Sequence, residues 1–314
     1  MKNIEEFIEE KVQEIKEVDG KAVVGCSGGV DSTVAAVLAS KAMGDDLLAI
    51  YVDTGYMRKN ETENIHEILE ETGVNHKIVD AKEEFYEAME GVVDPEKKRK
   101  IIGNKFIEIF EREAKEFDAD YLVQGTIAPD WIESGDDNRD TIKSHHNVGG
   151  LPEEMGLGLI EPLYDLYKDE VREVAKELAL STAEKQPFPG PGLAIRVIGE
   201  ASPERTTIVR EACHIVETEI DKAVENGEMR RPWQYFAVLL PIKTVGVQGD
   251  KRAYGHTVAV RAVESKDAMT ANFSEIPRKI MSRISTKITN EMKDEVNRVV
   301  YDITNKPPGT IEWE

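Results

Sequence analysis

Residues 21–33 read KAVVGCSGGVDST, a short apolar run that ends in two adjacent glycines flanked by hydroxyl side chains. The next residues, TVAAVLASKAM (33–43), carry no breaker and are good helix formers. Strand, glycine turn, helix is the opening of a parallel α/β unit. Outward from it the alternation continues. On the N-terminal side Ile4, Phe7, Ile8, Val12, Ile15 and Val18 recur at helical spacing until Asp19-Gly20. On the C-terminal side LLAIYVD (47–53) predicts a buried strand, a polar amphipathic segment runs to Thr72, and HKIVDA (76–81) predicts a third strand. A helical pattern over 94–117 leads into DYLVQG (120–125), a fourth strand. The fold class expected is α/β, a doubly wound parallel sheet with helices on both faces and its ligand site at the carboxyl ends of the strands.

From Gly125 to Gly158 the sequence is long, polar and glycine-rich, which predicts a functional lid. A helix over 168–180 follows, and then PFPGPG (187–192) punctuates the sequence. We expect a first domain over 1–190 and a second over 191–314. The second shows a helical run at 203–225, β-rich segments at 235–247 and 256–264, a helix at 275–293 and a strand at 297–304, the pattern of a smaller α+β domain.

The 314 residues include 61 acidic and 40 basic side chains, a net charge of −21, and two cysteines. Isolated Cys26 and Cys213 exclude a disulfide scaffold and a zinc site and suit a reducing, cytoplasmic setting. The acidic N-terminus does not read as a signal peptide, and no apolar run is long enough for a membrane helix. Such negative charge opposes nucleic acid and membranes, so an anionic ligand must be met by locally concentrated donors.

The turn supplies those donors. Gly28 and Gly29 let the backbone approach an anion, Ser27, Ser32 and Thr33 add hydroxyls, and the amides of the helix start point the same way. The pattern is neither a Walker A loop nor a dinucleotide-binding turn. Asp31 makes sense in an anion cradle if it holds Mg²⁺ against phosphate; the other reading is a tight turn with Asp31 as helix cap.

SGGVDS after an apolar strand resembles the pyrophosphate loop of ATP pyrophosphatases of the adenine nucleotide alpha hydrolase-like fold. VDTGYMRKNE (52–61), DPEKKRKIIGNKF (94–106), QGTIAPDWIES (124–134), IKSHHNVGGLPEEM (142–155), FPGPGLAIRV (188–197) and RVVYDITNKPPGTIEWE (298–314) are similar to GMP synthases over nearly the whole sequence. The resemblance implies ATP as co-substrate, Mg²⁺ as cofactor, and adenylation of xanthosine 5′-monophosphate (XMP) at its C2 oxygen, followed by amination to GMP. It implies a pyrophosphate cradle at Ser27, Gly28, Gly29, Val30, Asp31, Ser32 and Thr33, and an adenine slot near Val52, Phe106 and Gly125. Catalytic roles fall on Asp31 and on Asp130, Glu133 and Lys143 of the lid. For XMP it points to Gln234, Arg298, Lys306, Ile311 and Glu312, the cations meeting phosphate and Glu312 accepting a purine N–H. The family's smaller domain dimerises, so a homodimer is expected. The glutaminase domain that many relatives carry does not precede the loop here. The expected partner is therefore a separate glutaminase subunit that delivers ammonia.

Other features read more plainly. His145-His146 are expected to be loop histidines without metal. The run Lys97-Lys98-Arg99-Lys100 reads as a solvated helix face, which the resemblance moves close to ATP. Cys26 and Cys213 are expected to be buried and inert, and without the resemblance Phe106 reads as core. The rival functions are a tRNA-thiolating or NAD-forming synthetase on the same loop, or a non-catalytic nucleotide-binding module.

Overall fold

The computed structural model describes residues 3–128, 156–180, 186–266 and 268–314. Five parallel strands, β1 (Ala22–Gly25), β2 (Leu47–Asp53), β3 (His76–Asp80), β4 (Tyr121–Val123) and β5 (Gly158–Ile160), form one sheet in the order β3-β2-β1-β4-β5. The helices along this stretch are α1 (Ile4–Lys16), α2 (Val30–Met43), α3 (Glu61–Glu71), α4 (Lys82–Ala88), α5 (Pro95–Phe117) and α6 (Lys168–Glu177). β2 is buried along all seven residues, the apolar run Leu47 to Val52 and Asp53 after it, as a strand covered on both faces must be. α2 buries Thr33 through Ala39 without interruption, which suits a helix that is apolar nearly all round.

Strand order reverses beside β1. The chain moves from β1 outward to β2 and β3, then returns to β1's other side for β4 and β5. The two segments that leave β1 and β4 therefore diverge at their carboxyl ends, and the crevice between them is where an open α/β sheet takes its ligand.

The second sheet is mostly antiparallel. β6 (Gln234–Gln248) pairs with β7 (Lys251–Glu264), β7 with the short β8 (Asn272–Phe273), and β9 (Val296–Tyr301) joins β7 in parallel. α7 (Pro203–Glu225) is capped by Ser202, whose hydroxyl accepts from Arg205 N at 3.3 Å, with Pro203 in the first turn. α8 (Arg278–Glu291) buries Ile280, Ile284 and Ile288, a four-residue repeat along one face.

The described residues group into two compact units. Met1–Thr54, Asn60–Ala81 and Gly103–Phe188 make one, and Gly55–Lys59, Lys82–Ile102 and Pro189–Glu314 make the other. Two stretches from the first half of the sequence thus fold with the second unit, held there by contacts such as Tyr56 Oη donating to Ala201 O at 3.0 Å and Lys59 Nζ to Glu211 at 2.6 Å. Among the described residues no helix is long and apolar enough to cross a membrane.

Strands with long apolar runs fall where the sequence places them. α4, β5 and β8 do not announce themselves: β5 has three residues, β8 has two, and α4 is a seven-residue helix, all too short for a periodic pattern.

Candidate active site

β1 ends at Gly25, and α2 begins at Val30 with Gly29 as its cap. Asp31 is therefore in the first turn of the helix rather than its cap. The connecting turn is braced from within. Ser27 N donates to Ser32 Oγ (3.3 Å), Gly29 N to Ser27 Oγ (3.4 Å) and Ser32 Oγ to Gly29 O (3.2 Å), while Ser27 and Ser32 hydroxyls lie 3.2 Å apart. Thr33 is buried and its hydroxyl donates to Gly29 O at 2.8 Å, so it stabilises the turn from behind. Ser27 and Gly29 face solvent.

Both glycine roles have a geometric cause. Gly28 has φ +76°, and a Cβ there would come within 2.4 Å of Ile65 Cδ1 and 2.7 Å of Glu61 Oε1 on α3. Gly125, in the segment after β4, lies directly on the helix start: an added Cβ would sit 2.9 Å from both atoms of the Asp31 backbone carbonyl and 3.0 Å from Ser32 N. Gly125 thus lets the segment leaving β4 pass directly against the start of α2, backbone to backbone.

Phe106 of α5 is half-buried, stacks on Phe110 with ring centroids 6.2 Å apart, and its Cζ lies 4.0 Å from where a Gly25 Cβ would be. Val52 is buried at the end of the adjoining strand, paired with Val79. The structure therefore gathers residues 27–33, Val52, Phe106 and Gly125 around the carboxyl end of β1 and the strand beside it. Asp130, Glu133, Lys143, His145 and His146 fall outside the described residues.

One cation near the turn escapes sequence reading. Lys168, first residue of α6, places Nζ 3.8 Å from Asp31 Oδ2. Nothing in KDEVREVAKE marks it, since a lysine at a helix end is ordinary surface. Among the described residues no three His, Cys, Asp or Glu side chains gather as a metal cage. A carboxylate beside serine hydroxyls suits Mg²⁺, which takes most of its oxygens from phosphate and water.

Cys26 is buried next to this turn, and burial pushes its thiol up to about 12. Burial also raises Cys213 to about 11 despite the opposing influence of Arg196. Neither is a thiolate near neutral pH, and both are inert packing groups.

The second cluster lies in 302–314. Glu312 accepts from Arg196 Nη2 (2.8 Å) and Nε (3.1 Å) and from Gln234 Nε2 (3.0 Å), so its carboxylate is more committed than the sequence suggests. Ile311 is buried. Lys306 Nζ donates to Ala268 O at 2.8 Å, and exposed Arg298 donates from Nε to Thr244 Oγ1 at 3.2 Å. Gln234 and Glu312 are thus joined, while Arg298 and Lys306 make these contacts elsewhere on the unit.

The basic run at 97–100 requires correction. Lys97 and Lys100 are exposed, but Lys98 is wholly buried and pairs with Glu314, also donating to Ala194 O (3.1 Å) and Val197 O (2.7 Å). Arg99 donates to the backbone oxygen of the same Glu314. Burial holds Lys98 below the ordinary lysine value, and the Glu314 carboxylate opposes that shift. Arg261, also fully buried, donates to Thr310 O at 3.0 Å and pairs with Asp302 at 3.2 Å. Lys97 and Lys100 keep the solvated face that the run predicts, while Lys98, Arg99, Arg196 and Arg261 seat the C-terminal segment.

The profile of the GMP synthase C terminal domain family matches residues 221–313, and that of NAD synthase matches 1–109. A Thermococcus kodakarensis protein, named as the B subunit of glutamine-hydrolyzing GMP synthase, is 61% identical over 99% of both sequences. A Thermoplasma acidophilum protein of the same name is 56% identical over 98% of both. The chain belongs to the family of GMP synthase B subunits. A Natranaerobius thermophilus protein named glutamine-hydrolyzing GMP synthase is 53% identical over 98% of this chain but only 61% of its own length. For a GMP synthase of this type, the parallel sheet is the ATP pyrophosphatase fold expected from SGGVDS, and the full-length similarity disfavours the NAD-forming and tRNA-thiolating alternatives.

Proposed function

We propose that this chain is the synthetase subunit of a two-chain GMP synthase, a ligase that forms a C–N bond by converting XMP, ATP and ammonia to GMP, AMP and pyrophosphate. The observation that carries this reading is similarity to proteins named as GMP synthase B subunits across essentially the whole length. The braced turn at 26–33 adds a physical reason. Its exposed backbone and the Ser27 and Ser32 hydroxyls suit the β- and γ-phosphates of ATP, at the start of a helix whose dipole favours anions.

The C2 oxygen of XMP attacks the α-phosphorus of ATP and pyrophosphate leaves. Ammonia then adds to C2, the C2–O bond breaks, and AMP departs with that oxygen. Asp31 is the residue that would hold Mg²⁺, which when bound neutralises charge on the phosphate oxygens. Lys168, with Nζ 3.8 Å from Asp31 Oδ2, is placed to share that charge. Phe106, Val52 and Gly125 border the adenine. The expected lid that carries Asp130, Glu133 and Lys143 serves to exclude water from the adenylated intermediate, and Lys143 to stabilise charge building on the phosphoryl group. Arg298 and Lys306 bind the XMP phosphate, with Gln234, Ile311 and Glu312 toward the purine.

Ammonia comes from a separate glutaminase. The relatives' naming as B subunits, and the single-polypeptide relative that extends well beyond the matched length, support that arrangement. A homodimer through the second unit is supported by the sheet surface there: Val245 and Tyr254 are direct cross-strand neighbours on β6 and β7, and both are exposed, as is Val300 on β9.

The test is to incubate the purified protein with ATP, Mg²⁺, XMP and ammonium. GMP, AMP and pyrophosphate should appear in equal amounts, and with glutamine in place of ammonium none should form without a glutaminase. Pyrophosphate release independent of XMP would overturn the reading.

A further inference from the structure

Arg196 differs from the other cations that seat the C-terminal segment, because it grips a side chain that the proposed function assigns to XMP. It closes the short 3₁₀ turn Gly192–Arg196 and is 0% exposed. Its guanidinium lies 4.1 Å over the ring of Phe236, which is itself fully buried. From that fixed position it donates through Nη2 and Nε to the two oxygens of Glu312, and Gln234 Nε2 adds a third N–H to Oε1.

A carboxylate offers about four acceptor positions. Three N–H groups fill most of them here and lock the carboxylate plane, yet the Glu312 side chain keeps 14% of its surface exposed. We propose that Arg196 is a positioning residue for XMP recognition: it aims the remaining acceptor of Glu312 at a purine N–H without touching the nucleotide. The proposal rests on the reading of Glu312 as a purine contact. The physical gain is preorganisation. A glutamate held in one orientation before the ligand arrives loses no rotamer freedom on binding, and an acceptor with few alternative partners discriminates more sharply against a ligand that lacks the donor. Lysine at 196 keeps the charge but not the planar fork that holds both oxygens.

The test compares Arg196→Lys, Glu312→Gln and the double variant in steady-state GMP formation with ammonium, varying XMP and ATP separately. Each single variant should raise KM for XMP about tenfold, with kcat and KM for ATP unchanged within about twofold. The double variant should be no worse than the worse single, because Arg196 acts through Glu312. Arg196→Met with Glu312→Gln, which removes both buried charges together, covers the case in which Arg196→Lys does not fold; its XMP defect should match that of Glu312→Gln alone. If Glu312→Gln raises KM for XMP while a folded Arg196→Lys does not, or if the two defects multiply, the positioning role is overturned. An equal rise in KM for ATP in Arg196→Lys marks a merely structural role and overturns it too. An unchanged KM for XMP in Glu312→Gln removes the purine contact itself, a separate failure.

Discussion

Between Cys26 and Thr33 the groups open to a ligand are backbone amides and the short hydroxyls of Ser27 and Ser32, tied to one another within eight residues of sequence. Over 302–314 the organising contacts come from long charged side chains that arrive from far along the sequence: Lys98, Arg196 and Arg261. The first arrangement needs small residues and a helix start, and tolerates little added volume. The second needs complementary charges brought together and desolvated as pairs. On the proposed reading an acidic protein binds anions at two places without a broadly basic surface, since one site uses backbone dipoles and the other a few cations, Arg298 and Lys306, while Lys98, Arg196 and Arg261 are held in pairs with carboxylates.

The largest effect expected is on the second region. Lys98→Met should leave the Glu314 carboxylate uncompensated and lower stability by about 3–5 kcal/mol, read as a fall in denaturant midpoint. A change within experimental error would break the view that buried pairs hold this segment. In the first region Asp31→Asn should cut GMP formation about a hundredfold, the scale for loss of one group that stabilises transition-state charge, with the defect appearing in pyrophosphate release and in the Mg²⁺ dependence. A defect confined to KM for XMP would blur the two regions. Lys306→Ala should raise KM for XMP about tenfold through loss of a charge-assisted contact and leave KM for ATP alone, as separate titrations of the two nucleotides would report.

The smallest effect concerns the thiols. Both have folded values raised from 9.0, to about 12 for Cys26 and about 11 for Cys213. Above pH 9 the unfolded protein releases protons that the folded protein keeps, so their contribution to stability is complete below pH 9 and declines as pH rises toward 11 and 12. Alkylating reagents near neutral pH should leave both cysteines unmodified until the protein unfolds, as intact mass would show. Modification of Cys26 in the native state, with loss of activity, would reopen a reactive role.

The same contrast explains what could be read from sequence. The turn at 26–33 is legible because its cause is local: two glycines, flanking hydroxyls, an apolar run before and a helix former after. The order of the five strands and the contact of Gly125 with Asp31 add that the two segments beside the crevice meet backbone to backbone at one point, which no spacing reveals. The C-terminal cluster is half legible. Gln234, Lys306 and Glu312 come from the resemblance, but Arg196 sits in a short 3₁₀ turn without periodicity. Lys98 lies in a basic run that reads as surface, because its partner Glu314 is 216 residues away. Charge patterns describe faces of one element; a buried pair between distant segments leaves no local trace.

The most direct test follows the C2 oxygen of XMP. With XMP labelled at that position by a heavy oxygen isotope, and with ATP, Mg²⁺ and ammonium, the label should emerge in the phosphate group of AMP, one atom for each GMP formed. Label released to water, or AMP that carries none of it, would contradict adenylation of XMP and with it the proposed reaction.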